Sequence, residues 1–260
     1  MLDCIVIGAG PGGLVCTKEL LEQGVRKVVC LEQASSVGGV FANTYDNLVL
    51  TSSTTISMFS DFWIGDGEQY KFWTKKEAVN YWKRYAQYFG VLNHIRFNSK
   101  VVAVVPQDKG WLIKLASGES LFSKRVALAI GNNAIPSYPE WKELLTDVEY
   151  SHSKEYRNAD RFLGKNVLVV GGGESGSDIA LEASRVANKC WVSLRASTGW
   201  VAPRKRANQV IPDTIFFNRI FWGIPRNYGG AVSKVLTSIE LSQFKDPINH
   251  KAAELNKMVK

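Results

Sequence analysis

Two apolar runs in this chain, Ile5–Ile7 and Val167–Val170, each break into a glycine turn. After each turn comes a stretch with apolar positions at helical spacing, and then a second apolar run. The pattern predicts strand, turn, helix and strand over residues 1–32 and again over 167–195, with Gly24 at the expected C-terminal stop of the first helix. Between them, 76–90 places Ala78, Val79, Trp82, Tyr85, Ala86 and Phe89 at helical spacing, with Gly90 as the stop. This aromatic stripe reads as core packing. Residues 95–122 predict two or three short strands, with a hairpin at 107–110 and a turn at 117–118. The run from 125 to Gly131 reads as a central strand, with Pro136 and Pro139 barring a helix beyond it. A polar connection with aromatic residues follows over 140–163. Past Arg195 the chain turns basic and aromatic: 215–222 reads as a short helix with Phe216, Phe217, Ile220 and Phe221 on one side, and 231–260 as polar helix without a further strand.

The glycines give the repeated pattern its chemistry. Gly8, Gly10 and Gly13 in the first copy and Gly171, Gly173 and Gly176 in the second have the spacing G-x-G-x-x-G between strand and helix. The spacing serves a tight turn, a close backbone approach to a pyrophosphate, and close helix–strand packing. The helix start then offers unpaired N–H groups and a positive dipole end to the phosphates. Nineteen positions after the third glycine stands Glu32 in the first copy and Arg195 in the second. A carboxylate there accepts from the ribose hydroxyls, so the first site reads as FAD or NAD. An arginine clamps a 2′-phosphate, so the second reads as NADP.

Composition narrows the class. With 45% hydrophobic and 22% charged residues among 260, the chain is an ordinary globular protein long enough for one large or two modest domains. No apolar stretch approaches the roughly 20 residues of a membrane helix, and no basic leader precedes the first strand, so the expected location is cytoplasmic. Cys4, Cys16, Cys30 and Cys190 lack C-x-x-C spacing and read as reduced core residues; with three unclustered histidines, no metal is expected. Of the net charge of +8, residues 195–260 carry 11 Lys/Arg against 4 Asp/Glu. No nucleic-acid motif accompanies it. The charge suits an anionic cofactor, or peripheral membrane contact through 200–230, where the alternative is a helix packed on its own domain.

With both loops placed, the residues between them resemble the flavin-containing monooxygenases, the class B flavoproteins. The matching pieces are GAGPGG with LEQ, VGGVF, LVLTSS followed by MFSDF, YWKRYAQYFG, IRFNSKVVAV, AIG with its downstream prolines, HSKEY, GGGESGSDIALE and VSLRASTGWVAPR, in family order over nearly the whole chain. The resemblance implies an α/β fold of two dinucleotide-binding, Rossmann-like domains, FAD over 1–160 and NADPH over 161–260. The NADPH domain is inserted in the FAD domain and is incomplete here. It implies FAD contacts at Gly8, Gly10, Pro11, Gly12, Gly13, Glu32, Gln33, Gly39, Val40, Val101 and Gly131. NADPH contacts fall at Gly171, Gly173, Glu174, Ser175, Gly176, Ser193 and Arg195. Gly38 and Gly39 then let the backbone pass close to the flavin end, or form a plain turn.

The chain departs from the family in three ways. In the fingerprint F-x-G-x-x-x-H-x-x-x-Y, His152 and Tyr156 fit, but Thr146 and Val148 hold the Phe and Gly places. The Asn near the flavin in many members falls at Thr51 or Ser52, flavin-proximal hydroxyls that are the catalytic candidates here. Family members also run well beyond residue 260, so the sequence reads as C-terminally truncated, a split protein needing a partner segment, or a degenerate relative.

The implied reaction is NADPH- and O2-dependent oxygenation of a nucleophilic nitrogen or sulfur of a small molecule through a C4a-hydroperoxyflavin. Because the flavin carries the hard chemistry, no triad, carboxylate dyad or metal cluster is required. Two rivals stand beside this. A pyridine nucleotide–disulfide reductase would need a paired redox cysteine motif, which Cys16 and Cys30 are too far apart in sequence to form. A non-catalytic dinucleotide-binding relative would fit the missing C-terminal part.

Overall fold

The computed structural model describes residues 1–64, 71–133 and 135–194, and the backbone of 205–206 and 209–210. The chain divides into two units, residues 1–47 with 74–156 and residues 48–73 with 157–260.

The first unit is built on a six-stranded sheet. Its strands are β1 (Leu2–Ile7), β2 (Val28–Leu31), β3 (Ile95–Arg96), β4 (Val101–Gln107), β5 (Gly110–Leu115) and β6 (Ser120–Leu128), in the order β3-β2-β1-β6-β5-β4. β1 pairs in parallel with both β2 and β6, while β4, β5 and β6 form an antiparallel meander. The predicted hairpin is present, closed by Gln107 opposite Gly110. β6 is longer than the hydropathy pattern suggests. One strand serves as the last arm of the meander and as the central strand beside β1, ending before Gly131.

Alternation along β1 sends Ile5 and Ile7 into a core with Leu31, Ile113 and Leu115. Helix α1 (Pro11–Glu22) runs between β1 and β2 and ends as expected, with Gly24 at φ +78°. The short helix α2 (Thr54–Ser57) belongs to the second unit. Helix α3 (Lys75–Tyr88) opens on a capping box, in which Thr74 Oγ1 accepts from the Glu77 N–H while Glu77 accepts from the Thr74 N–H. It buries Ala78, Tyr81, Trp82, Tyr85 and Ala86, so the aromatic stripe is core. Gly90, at φ +68°, stops it.

In the second unit β7 (Asn166–Val170) and β8 (Lys189–Ser193) pair in parallel around helix α4 (Glu174–Val186). α4 buries Ile179, Ala180 and Ala183, and the strands bury Val167, Val169 and Val192. A short antiparallel pair, β9 (Lys205–Arg206) with β10 (Gln209–Val210), lies beyond, where no strand is predicted. The predicted helix at 215–222, the surface 200–230 other than those strands, and 231–260 lie outside the described residues.

Candidate dinucleotide sites

The two glycine loops fold alike. Gly8 has φ +104° and Gly171 φ +107°, a conformation that side chains rarely adopt. Gly10 and Gly173 cap the following helices with nearly the same extended backbone, φ −70° and −73°, and neither helix start is capped by a side chain. The third glycines are dictated by packing. A β-carbon on Gly13 would lie 1.7 Å from the Gly8 carbonyl oxygen, and one on Gly176 would lie 2.2 Å from that of Gly171. By contrast, β-carbons on Gly12 and Gly173 would meet nothing within 4 Å. These positions leave open space where a pyrophosphate needs it, beside helix starts whose first N–H groups lack side-chain partners.

The first loop is closed in by other parts of its unit. Gly39, at φ +58°, would bring a β-carbon to 3.1 Å from the Gly10 Cα, so the two loops approach backbone to backbone. Gly38 packs near Val79 of α3, and Phe41 stacks on Trp82 at 5.2 Å between ring centroids. Val40 is exposed beside this turn. The chain leaving β6 passes so close that a β-carbon on Gly8 would strike the Ala129 carbonyl at 2.5 Å, and Gly131 follows at φ +67°. Val101, at the start of β4, packs against the core that holds Ile5 and Ile113.

Glu32 stands just past β2 and is only 5% exposed. Its Oε2 accepts the Ala9 N–H at 2.7 Å and its Oε1 the Ala34 N–H at 2.8 Å. The carboxylate is therefore locked against the first loop, with one lone-pair site on each oxygen still free for a diol. Those residues fit an adenosine ribose. Gln33 is exposed next to it.

The second loop differs at this point. Gly8 donates its N–H to the Leu31 carbonyl, and Gly171 donates its N–H to the Ser193 carbonyl. Ile7 pairs with Leu31, and Val170 with Ser193. In register, therefore, Ser193 corresponds to Leu31 and Leu194 to Glu32, which puts Arg195 at the place of Gln33. Counting from the third glycine hides this offset of one residue, because α4 and the link to β8 are shorter overall. Arg195 itself lies outside the described residues. Ser175 and Gly176 belong to the first turn of α4.

The hydroxyls of Thr51 and Ser52 lie in the second unit and have separate partners. Thr51 Oγ1 donates to Glu174 Oε1 at 2.7 Å, whereas Ser52 Oγ pairs with Ser57 Oγ at 2.8 Å. The pairing of Thr51 with Glu174, 123 positions apart, has no sequence signal. In the fingerprint region Tyr156 is buried against Tyr45, with centroids 5.9 Å apart, and His152 stacks edge-on to Tyr138. Thr146 and Val148 are exposed, so their side chains fill no core place there.

Among the described residues no three His, Cys, Asp or Glu side chains group as a metal site, and no helix is long and apolar enough to cross a membrane. All four cysteines are free. Cys30 sits behind the first loop with its thiol directed at the Gly8 carbonyl, 3.5 Å away, and burial pushes its pKa up to about 12. Such a thiol is unsuited to redox exchange.

A family model described as pyridine nucleotide-disulphide oxidoreductase matches residues 5–216. The chain belongs to this family. Within the pyridine nucleotide-disulphide oxidoreductases it stands with the flavin-containing monooxygenases, as the motif resemblance implies. It is 35% identical to a 4-hydroxybenzoate brominase (decarboxylating) of Pseudoalteromonas luteoviolacea, over 97% of this chain and 50% of that protein. It is 30% identical to flavin-containing monooxygenase 5 of Oryctolagus cuniculus, over 76% of this chain and 41% of that one. The fold matches a flavin-containing monooxygenase structure from Stenotrophomonas maltophilia with a TM-score of 0.68 at 24% identity, covering 77% of this chain and 60% of that one. The chain spans about half the length of the curated relatives it matches.

Proposed function

We propose that this chain forms the dinucleotide-binding part of an FAD- and NADPH-dependent flavoprotein monooxygenase. The observation that carries the reading is that two loops of one conformation differ where the ribose binds: Glu32 in the first, Leu194 and Arg195 in the second.

FAD belongs to the first loop. The α1 N-terminus and the open space at Gly12 take the pyrophosphate, and Glu32 takes the ribose diol, with Gly39 and Val40 continuing along the cofactor. NADPH belongs to the second. Leu194 offers no acceptor to ribose hydroxyls, while Arg195 supplies a guanidinium to the 2′-phosphate. When bound, FAD supplies hydride acceptance from NADPH and the activation of dioxygen. What the chain contributes is binding, orientation and exclusion of water, with Thr51 and Ser52 as the candidate hydroxyls at the reacting end. The substrate in this reading is a small molecule with a nucleophilic nitrogen or sulfur. The four free cysteines suit the reducing cytoplasm.

A second reading draws on the 35% identity to the brominase over 97% of this chain: the acceptor is then a halide, and the organic substrate a phenolic acid. The two part in one assay. Purified protein should show an oxidised-flavin spectrum and consume NADPH and oxygen, with turnover of a tertiary amine or thioether under the first reading and of 4-hydroxybenzoate with bromide under the second. Colourless protein that cannot be reconstituted with FAD supports instead a non-catalytic relative, or one that needs a partner segment.

A further inference from the structure

The two loops differ at one more place. The first residue of α1 is the uncharged Pro11, but the first residue of α4 is Glu174. A carboxylate there stands beside the N–H groups that a pyrophosphate must occupy, and it is the natural competitor for them. Anionic side chains settle at helix N-termini by the same attraction that draws phosphates. In α4 the carboxylate does not do this. No side chain caps the helix start, and Glu174 Oε1 instead accepts the hydroxyl proton of Thr51 at 2.7 Å.

We infer that Thr51 is a positioning residue for Glu174: its hydroxyl holds the carboxylate away from the second glycine loop and so keeps the α4 N-terminus open to an anionic dinucleotide. The inference rests on the reading of this loop as the NADPH site and deepens it. Each side of the pair needs the other. A threonine hydroxyl has one proton to donate, and here Glu174 takes it. Thr51 therefore presents only lone pairs to any other ligand while the pair is intact. Glu174 keeps free lone pairs, but a carboxylate offers these to hydroxyls and N–H groups and not to a pyrophosphate. The neighbouring Ser52 has a different partner, Ser57 Oγ at 2.8 Å.

The test is a titration of the full-length protein with NADP+, followed by calorimetry, so that turnover plays no part. Thr51→Val should weaken binding about fivefold, the size of a charge effect at a helix terminus. Glu174→Gln should bind as the wild type or more tightly, and the double variant should match Glu174→Gln, because there is no longer a carboxylate to hold back. Thr51→Ser, which keeps the hydroxyl, should bind as the wild type, and circular dichroism checks that each variant is folded. Wild-type affinity in Thr51→Val overturns the inference. So does a defect of equal size in the double variant, which would mean that the hydroxyl contacts the nucleotide itself. If Arg195→Ala weakens NADP+ while Thr51→Val does not, the NADPH site stands and the pair's role falls. If the wild type does not bind NADP+ at all, both fall together.

Discussion

Glu32 accepts the backbone N–H of Ala9 at 2.7 Å, so the residue proposed to recognise the ribose also holds the first glycine loop in shape. Glu32→Gln keeps one oxygen acceptor but turns an NH2 group toward a backbone N–H in a buried place. Stability should fall by about 1–3 kcal/mol, measured by urea unfolding of the apoprotein. Flavin content should drop with it. A variant that retains a full complement of FAD would remove Glu32 from the ribose site.

The glycines of one loop should respond differently to the same methyl group. Gly13→Ala drives a β-carbon into the Gly8 carbonyl and should cost about 3 kcal/mol. Gly12→Ala meets nothing within 4 Å and improves helix propensity, so the apoprotein should gain up to about 1 kcal/mol while losing FAD. Thermal melts with and without added FAD separate the two effects.

At the second loop, Arg195→Ala should weaken NADPH binding about 10- to 100-fold, the loss of a charge-assisted contact, with NADH little changed. Equal losses would show that Arg195 does not read the 2′-phosphate. Leu194→Glu restores the acceptor of the first loop and should raise the affinity for NADH relative to NADPH. No shift in that ratio would count against the register that equates Leu194 with Glu32.

Burial raises the Cys30 pKa from the ordinary thiol value of 9.0 to about 12. The folded protein therefore holds this proton more tightly than the unfolded chain does. The resulting stability is fully present below pH 9 and is lost as pH climbs from 9 toward 12. The stability of Cys30→Ala should fall less steeply than that of the wild type across this window in chemical unfolding. Parallel curves would show that the thiol contributes nothing to the alkaline limb.

Helix α3 should depend on its capping box. Thr74→Ala removes the acceptor of the Glu77 N–H and should destabilise the protein by about 1 kcal/mol, read from the urea midpoint. Thr74→Ser should be near neutral. A full loss in the serine variant would place the role of Thr74 outside the cap.

Much of this molecule is local, and what is local was legible. The loops at Gly8–Gly13 and Gly171–Gly176, the helix 76–90 with its Gly90 stop and the hairpin at 107–110 follow from glycine sterics and from apolar positions repeating with the period of one element. They need only neighbours in sequence. The reach of β6 was less legible, because a strand that pairs on both sides has its length set by its partners β1 and β5 rather than by its own hydropathy.

The sequence by itself determined that there are two dinucleotide loops, that a carboxylate follows one and an arginine the other, and which family the spacing resembles. Tertiary structure decided how these parts meet. Strand pairing set Leu194, not Arg195, opposite the place of Glu32, since register depends on hydrogen bonds across the sheet and not on residues counted along a helix and its link. Chain folding brought Gly39 onto Gly10 and Thr51 onto Glu174, contacts between residues far apart in sequence that no local period encodes. The sequence places a carboxylate at the start of α4; only the folded chain shows that the hydroxyl of Thr51 donates to it.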